Sequence, residues 1–395
     1  MKPGSKEPNQ KGIELQSEIR RPFGHSAWAA PYQSVAPLVL GSSVVAPLEL
    51  GELAAIAGLA VTDLAPPELL FEYGPPGGSL DLREQIASGM PGLVADNVTV
   101  TAGAGDALAM VAELMCHPDA HVIIEIPTHE SALVTAQRRG CAVSLLRAPV
   151  TPESINEHVR SSTTAVFLSS PHNPTGQILT AGMLTEIATK LASVGALLVV
   201  DEVYRGLPLG VQEIPPAVAA LVPNGVSIGS LSKVYGLPGL RLGWAAGPMM
   251  VVDDLRSIQR WTSRSPAVTS EAIGKVALDN SEGLLSRAKS LVYDSYVELA
   301  ALCDRVPGIR LTVPDGGTTV FPEVDVPDVD AWCGSIAEEF GLLVAPGNAC
   351  FGVPGRVRIN LGLRPETRAQ AFPLLAQALT KLHRGAATRG AAGQG

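Results

Sequence analysis

The stretch IGSLSKVYGLPGLRLGW, residues 228–244, holds one lysine, Lys233, among small, apolar and aromatic residues, with Ser230 and Ser232 before it and Arg241 after it. A buried ammonium is costly unless it is paired or loses its proton. A neutral lysine amine is a nucleophile and a base. Three other short stretches carry polar residues of matching chemistry: PHNPTG (171–176) with Asn173, DEVYRG (201–206) with Asp201 and Tyr204, and GAGD (103–106). Together they suit an aromatic aldehyde phosphate. Lys233 can form an imine with the aldehyde. Asp201 can keep a pyridine nitrogen protonated, which makes the ring an electron sink. Asn173 and Tyr204 can reach a phenolate oxygen. The turn Gly103-Ala104-Gly105 opens a helix, whose free amides and positive dipole end suit a phosphate. Ser230, Ser232 and a bidentate Arg241 add donors. That set of roles points to pyridoxal 5′-phosphate as the cofactor.

Such residues need a scaffold that gathers them. Apolar runs at 97–103, 121–127, 141–147, 164–171, 196–204, 226–232 and 242–248 read as strands. Helical patterns at 106–115, 130–140 and 181–195 lie between some of them. Strands that are apolar almost throughout belong to a mostly parallel sheet covered on both faces. In such α/β folds ligands gather at the carboxyl ends of the strands. The polar clusters sit at four of those ends. The expected organisation is a flexible arm over 1–20 and an N-terminal segment over 21–44 that contributes to the small domain and the substrate site. A large cofactor-binding α/β domain follows over 45–264. An interdomain helix and a smaller α+β C-terminal domain span 265–383, before a disordered tail over 384–395.

Composition bounds the partners. The chain has 395 residues, 46% hydrophobic and 17% charged, so a large core is available. A net charge of −9 argues against nucleic acid. No apolar run reaches the ~20 residues of a membrane span, and the polar start MKPGSKEPNQKG lacks the apolar segment of a signal peptide. Five scattered cysteines, Cys116, Cys141, Cys303, Cys333 and Cys350, read as reduced cytoplasmic thiols. The histidines His25, His117, His121, His158 and His383 show no metal-ligand spacing, and His172 reads as structural, so no metal is expected.

The ordered motifs SSPHNPTG, DEVYRGL and SLSKVYGLPGLRLGW resemble those of fold-type-I pyridoxal phosphate enzymes of the class I/II aminotransferase family. Asn173 and Asp201 are 28 residues apart, and Asp201 and Lys233 are 32 apart. The resemblance implies the Schiff-base lysine at Lys233, the pyridinium partner at Asp201, and ring-hydroxyl ligands at Asn173 and Tyr204. It puts the phosphate arginine at Arg241 and the substrate-carboxylate arginine at Arg358 in RVRINLG. Tyr73 in FEYGPPGG matches a tyrosine that reaches the phosphate of a neighbouring subunit, so a homodimer is implied. The segment RRPFGHSAWAAPYQSVAPLVLGSSVV resembles a subgroup that includes capreomycidine synthase, in which the GSS piece, here Gly41, Ser42 and Ser43, lies near the substrate. One departure stands out. The family usually stacks an aromatic residue on the ring where this chain has His129, which can also titrate and carry protons.

Three functions follow as expectations. The first is transamination of an amino acid. The second is elimination or replacement at Cβ or Cγ followed by ring closure. The third is a non-catalytic binding protein on the same fold, which the full set of cofactor residues argues against.

Overall fold

The seven apolar runs become seven strands of one sheet. A computed structural model of the chain describes residues 24–392 apart from residue 212. The expected arm over 1–20 and residues 393–395 lie outside the described residues. In chain order the strands are β1 (Val98–Thr101), β2 (His121–Ile126), β3 (Ala142–Arg147), β4 (Thr163–Ser169), β5 (Leu197–Asp201), β6 (Gly225–Ser230) and β7 (Gly243–Ala246). Their order across the sheet is β1-β7-β6-β5-β4-β2-β3. All run parallel except β7, which is antiparallel to both β1 and β6.

Burial on both faces explains the apolar runs. On one side Val122, Ile124, Phe167 and Val199 pack against helix Ala104–Met115. On the other, Ile123, Leu168, Leu198 and Val200 pack against helix Ala181–Ala192, through Leu184, Ile187 and Leu191. Each such fully buried side chain contributes about 1.5–3 kcal/mol. Thr180 caps the second helix by accepting from the Met183 amide at 3.2 Å.

The reversed strand matters for the site. Because β7 alone runs backwards, its start lies beside the ends of β1 and β6, with Gly243 opposite Thr101 and Ser230. Arg241, two residues before β7, therefore reaches the edge where Asp201 and Ser230 end their strands.

The long helical pattern at 265–304 forms two helices, Val268–Asp279 and Ser281–Arg305, broken at Asn280. The longer one buries Leu284 in the core around β1 and β7 and Ala288, Val292, Leu299 and Leu302 in a second core. That core also holds β8 (Thr319–Val320), β9 (Ala345–Pro346) and β10 (Val357–Asn360), paired antiparallel in the order β8-β10-β9. Helix Pro365–Ala392 closes the described chain. It runs helical through 384–392, most of the segment expected as a disordered tail.

Residues 38–48 lace the two halves together. Leu38–Val39 pairs in parallel with Leu342–Leu343. The Gly41 amide donates to the Leu343 carbonyl at 2.7 Å and Asn360 donates to the Leu40 carbonyl at 2.7 Å. Beyond that, Val45 donates to the Lys233 carbonyl at 3.1 Å and Leu48 to that of Gly236 at 2.9 Å. A side chain at Gly41 would put its Cβ 2.8 Å from the Ala345 amide nitrogen, so this close passage requires glycine.

Candidate active site

Lys233 sits three residues beyond the end of β6, and Tyr204 three beyond the end of β5. Both reach one oxygen. The Lys233 Nζ donates to Ser43 Oγ at 3.3 Å, and the Tyr204 hydroxyl donates to the same atom at 2.9 Å. Ser43 is buried, and its carbonyl accepts from Thr318 Oγ1 at 2.9 Å. The N-terminal segment thus delivers Ser43 between two residues carried by different strands.

Arg358, on β10, is only 4% exposed. Its Nε and Nη2 both donate to the Gly41 carbonyl, and its Nη1 donates to Asn173 Oδ1 at 3.1 Å. The guanidinium carbon stands 4.9 Å from the centre of the Phe351 ring. No carboxylate among the described residues pairs with it. Arg368 is buried to a similar degree, yet Glu298 lies within 3.2 Å. A buried guanidinium held only by neutral acceptors is a site for an anion. Burial lowers its pKa, with Tyr204 and then Cys350 pulling the other way.

Asp201 ends β5 and is also buried. The Val203 amide donates to its Oδ1 at 3.2 Å, and Oδ2 takes no hydrogen bond from a described residue. Burial raises this carboxyl to about 6, opposed by the Val203 amide and then by the charge of Lys233. A cationic ring nitrogen is the partner that returns such a group to its charged form.

The residues expected to hold a phosphate meet at the start of helix Ala104–Met115. Gly103 has φ +98°, and a Cβ there would stand 2.7 Å from Arg241 Nη2. Asp106 and Ala107 donate to the Gly103 carbonyl, both at 3.2 Å, which leaves the Ala104 and Gly105 amides at the open helix start. Arg241 has φ +50°, a left-handed conformation, and donates to Ala102 and Pro238 carbonyls at 3.1 and 3.2 Å. Ser230 Oγ accepts from the Ser232 amide at 3.3 Å. Open amides, an arginine and glycines where any Cβ would collide fit a phosphate. With Lys233 and Asp201 they fit pyridoxal phosphate.

His129 stands over this turn, and a Cβ on Gly105 would come 2.9 Å from its Cε1. Its Nδ1 lies 2.9 Å from Ser131 Oγ. The ring keeps an exposed face. Desolvation by the surrounding walls, then the charges of Lys233 and Arg241, push it down to about 4, so the imidazole is neutral near pH 7. His172 is buried and bonded at both nitrogens, to Thr175 Oγ1 at 2.8 Å and the Pro127 carbonyl at 3.0 Å. Those bonds fix the PHNPTG turn.

Ser42 is not brought to Lys233, and Tyr73, expected at a neighbouring subunit, faces outward. Ser42 Oγ accepts from the Val44 amide at 3.2 Å and serves the turn. Tyr73 is 79% exposed, with the Arg264 guanidinium 5.4 Å from its ring centre. In turn, the structure adds Phe351 and His25 to the expected residues and gives Gly41, expected near the substrate, a part through its carbonyl. His25 lies on helix Gly24–Ala29, whose first amide is 3.5 Å from Glu130 Oε1. Its Nε2 is buried without a hydrogen-bond partner among the described residues. Burial lowers it to about 4, aided by the charge of Arg358, opposed by the Gly41 carbonyl, and aided again by Lys233. No spacing rule marks a histidine on a short helix some 200 residues before the lysine.

The family model described as aminotransferase class I and II matches residues 57–372. Capreomycidine synthase of Streptomyces vinaceus is 29% identical over 343 residues, covering 83% of this chain and 86% of that protein. A solved pyridoxal phosphate-dependent aminotransferase from Streptococcus suis superposes with a TM-score of 0.86 at 25% identity, covering 92% of this chain and 98% of that one. The pyridoxal phosphate-dependent cyclase OrfR superposes with a TM-score of 0.82 at 24% identity, covering 94% and 99%, which shows a shared fold.

Proposed function

Because the chain belongs to the class I and II aminotransferase family, we propose that it transfers an amino group from an α-amino acid to a 2-oxo acid. It is an enzyme of that fold, and its cofactor is pyridoxal 5′-phosphate. The observation that carries the reading is Arg358: a buried guanidinium without a carboxylate partner among the described residues, tied through Gly41 to the segment that holds Lys233.

Bound at this edge, pyridoxal phosphate supplies the carbonyl that captures the substrate amine and the electron sink that lets a proton leave the α-carbon. The chain's residues do the rest. Arg358 grips the α-carboxylate, its plane set by Gly41 and Asn173. Asn173 spends Oδ1 on Arg358, so its amide nitrogen remains to donate to the ring oxygen, whereas the single proton of the Tyr204 hydroxyl goes to Ser43. Asp201 holds the ring nitrogen protonated. The Lys233 amine takes the α-proton and passes it to the cofactor side of the substrate nitrogen, not back to the α-carbon. Arg241, Ser230, Ser232 and the Gly103–Gly105 turn anchor the phosphate, and His129 covers the ring.

The exposed Leu70, Phe71, Tyr73 and Trp261 support a homodimer in which Tyr73 reaches the partner's phosphate. The division into a large domain over 45–264 and a small one over 265–383 with residues 21–44 belongs to this proposal. No helix among the described residues is long and apolar enough to cross a membrane. The cysteines of the chain are free thiols, which supports a cytoplasmic setting.

A second reading is elimination with ring closure. It is favoured by His25, a second neutral imidazole that feels the charges of Arg358 and Lys233 and can carry a proton. The likeness to capreomycidine synthase agrees with it. One experiment separates the two. The holoenzyme is mixed with single amino acids and products are counted per site. Transamination predicts one equivalent of keto acid, then no turnover until a 2-oxo acid is added. Continuous product without a 2-oxo acid supports the ring-closing reading and refutes the first.

A further inference from the structure

We infer that Ser43 is the seat of the Lys233 amine whenever that amine is not bonded to the cofactor, and hence a positioning residue for the proton Lys233 carries. The inference rests on the reading of Lys233 as base. Ser43 Oγ accepts from Lys233 Nζ at 3.3 Å and from the Tyr204 hydroxyl at 2.9 Å. Two donors fill both lone pairs of one hydroxyl oxygen. Its position is then defined from two sides.

The segment cannot slide. Ser43's carbonyl accepts from Thr318 Oγ1 and Val44's from Asn360 Nδ2, both at 2.9 Å. Val45 donates to the carbonyl of Lys233 itself at 3.1 Å. The same three residues therefore hold Lys233 at its backbone and at the tip of its side chain, so a flexible four-carbon stem is fixed at both ends.

Two residues earlier, the Gly41 carbonyl fixes Arg358. One short rigid segment thus sets the base relative to the group that orients the substrate. Small errors in such spacing slow a proton transfer strongly. The step itself is simple. The Cα–H bond breaks, an N–H bond forms on Lys233, and the resulting ammonium still donates to Ser43. That ammonium then gives the proton either back to the α-carbon, which exchange in D₂O reads, or onward to complete the transfer.

The test compares wild type, Ser43→Ala and Ser43→Thr. The readouts are the exchange of the substrate α-proton in D₂O by NMR, KM, and the rate at which cofactor-free protein captures added pyridoxal phosphate. Ser43→Ala slows exchange about tenfold or more, as the loss of one well-placed hydrogen bond predicts, with KM changed less than about threefold. It also slows capture. Ser43→Thr, which keeps the hydroxyl, restores both. Should Ser43→Ala not fold, Ser43→Cys provides the same comparison with a weaker acceptor. Exchange in the variant within about twofold of wild type overturns the inference. A wild-type protein that captures the cofactor but exchanges no α-proton refutes Lys233 as base, and the inference falls with it.

Discussion

The Arg358 guanidinium and the Gly41 carbonyl are joined by two hydrogen bonds across 317 residues of sequence. The carbonyl holds the guanidinium's inner edge, Asn173 holds Nη1, and the Phe351 ring lies against the guanidinium. The side chain is therefore oriented before any substrate arrives, which lowers the cost of binding a carboxylate.

Arg358→Ala raises KM for the amino acid about 100-fold while cofactor binding changes little. Arg358→Lys recovers only part, because a lysine cannot make the planar two-point contact. Steady-state kinetics and a cofactor titration check both. A KM unchanged in Arg358→Ala places the carboxylate elsewhere.

Asp201→Asn lowers turnover by at least about 100-fold through loss of the charge beside the ring nitrogen. It has an opposite effect on the cofactor-free protein. The carboxyl's folded value, about 6, lies above the ordinary 3.8. Its stabilising share is complete below pH 3.8 and is lost as pH rises through 6. At pH 7 the cofactor-free variant is more stable than wild type by up to about 3 kcal/mol, and the gap closes as pH falls towards 4. Denaturant unfolding at several pH values measures it. A gap that widens on acidification contradicts the assignment.

His129→Phe keeps cofactor affinity within a few-fold, and His129→Ala weakens it about tenfold, if the ring serves as a stacking wall. The imidazole is depressed to about 4 from 6.5, so as pH falls between those values wild type loses more stability than His129→Phe. Equilibrium dialysis and thermal melts between pH 4 and 7 test the pair.

Tyr73→Ala and Lys233→Ala are each inactive or nearly so alone. Mixed and re-equilibrated in equal amounts, they regain about a quarter of wild-type activity, since half of the dimers then carry one intact site of two. No recovery, with exchange of subunits demonstrated, shows that Tyr73 does not cross the interface.

Much of the fold was legible because parallel strands buried on both faces leave long apolar runs with polar residues at one end. Lys233 and Asp201 were legible for the same reason: each lies within three residues of a strand end. The break at Asn280 was not, since helical periodicity continues across it. Nor was the part played by Gly41, because a carbonyl has no residue-type signature. Phe351 reaches Arg358, and the charge of Arg358 reaches His25, only through tertiary packing, and no local spacing encodes that.

The most direct test of the account is where the cofactor attaches. The holoenzyme is reduced with borohydride, digested, and the peptides are mapped by mass spectrometry. The account predicts a single pyridoxyl-modified residue, Lys233, and no stable modification in Lys233→Ala. A reduced cofactor on Lys190, Lys275 or any other lysine, or none on Lys233 in protein saturated with pyridoxal phosphate, contradicts it.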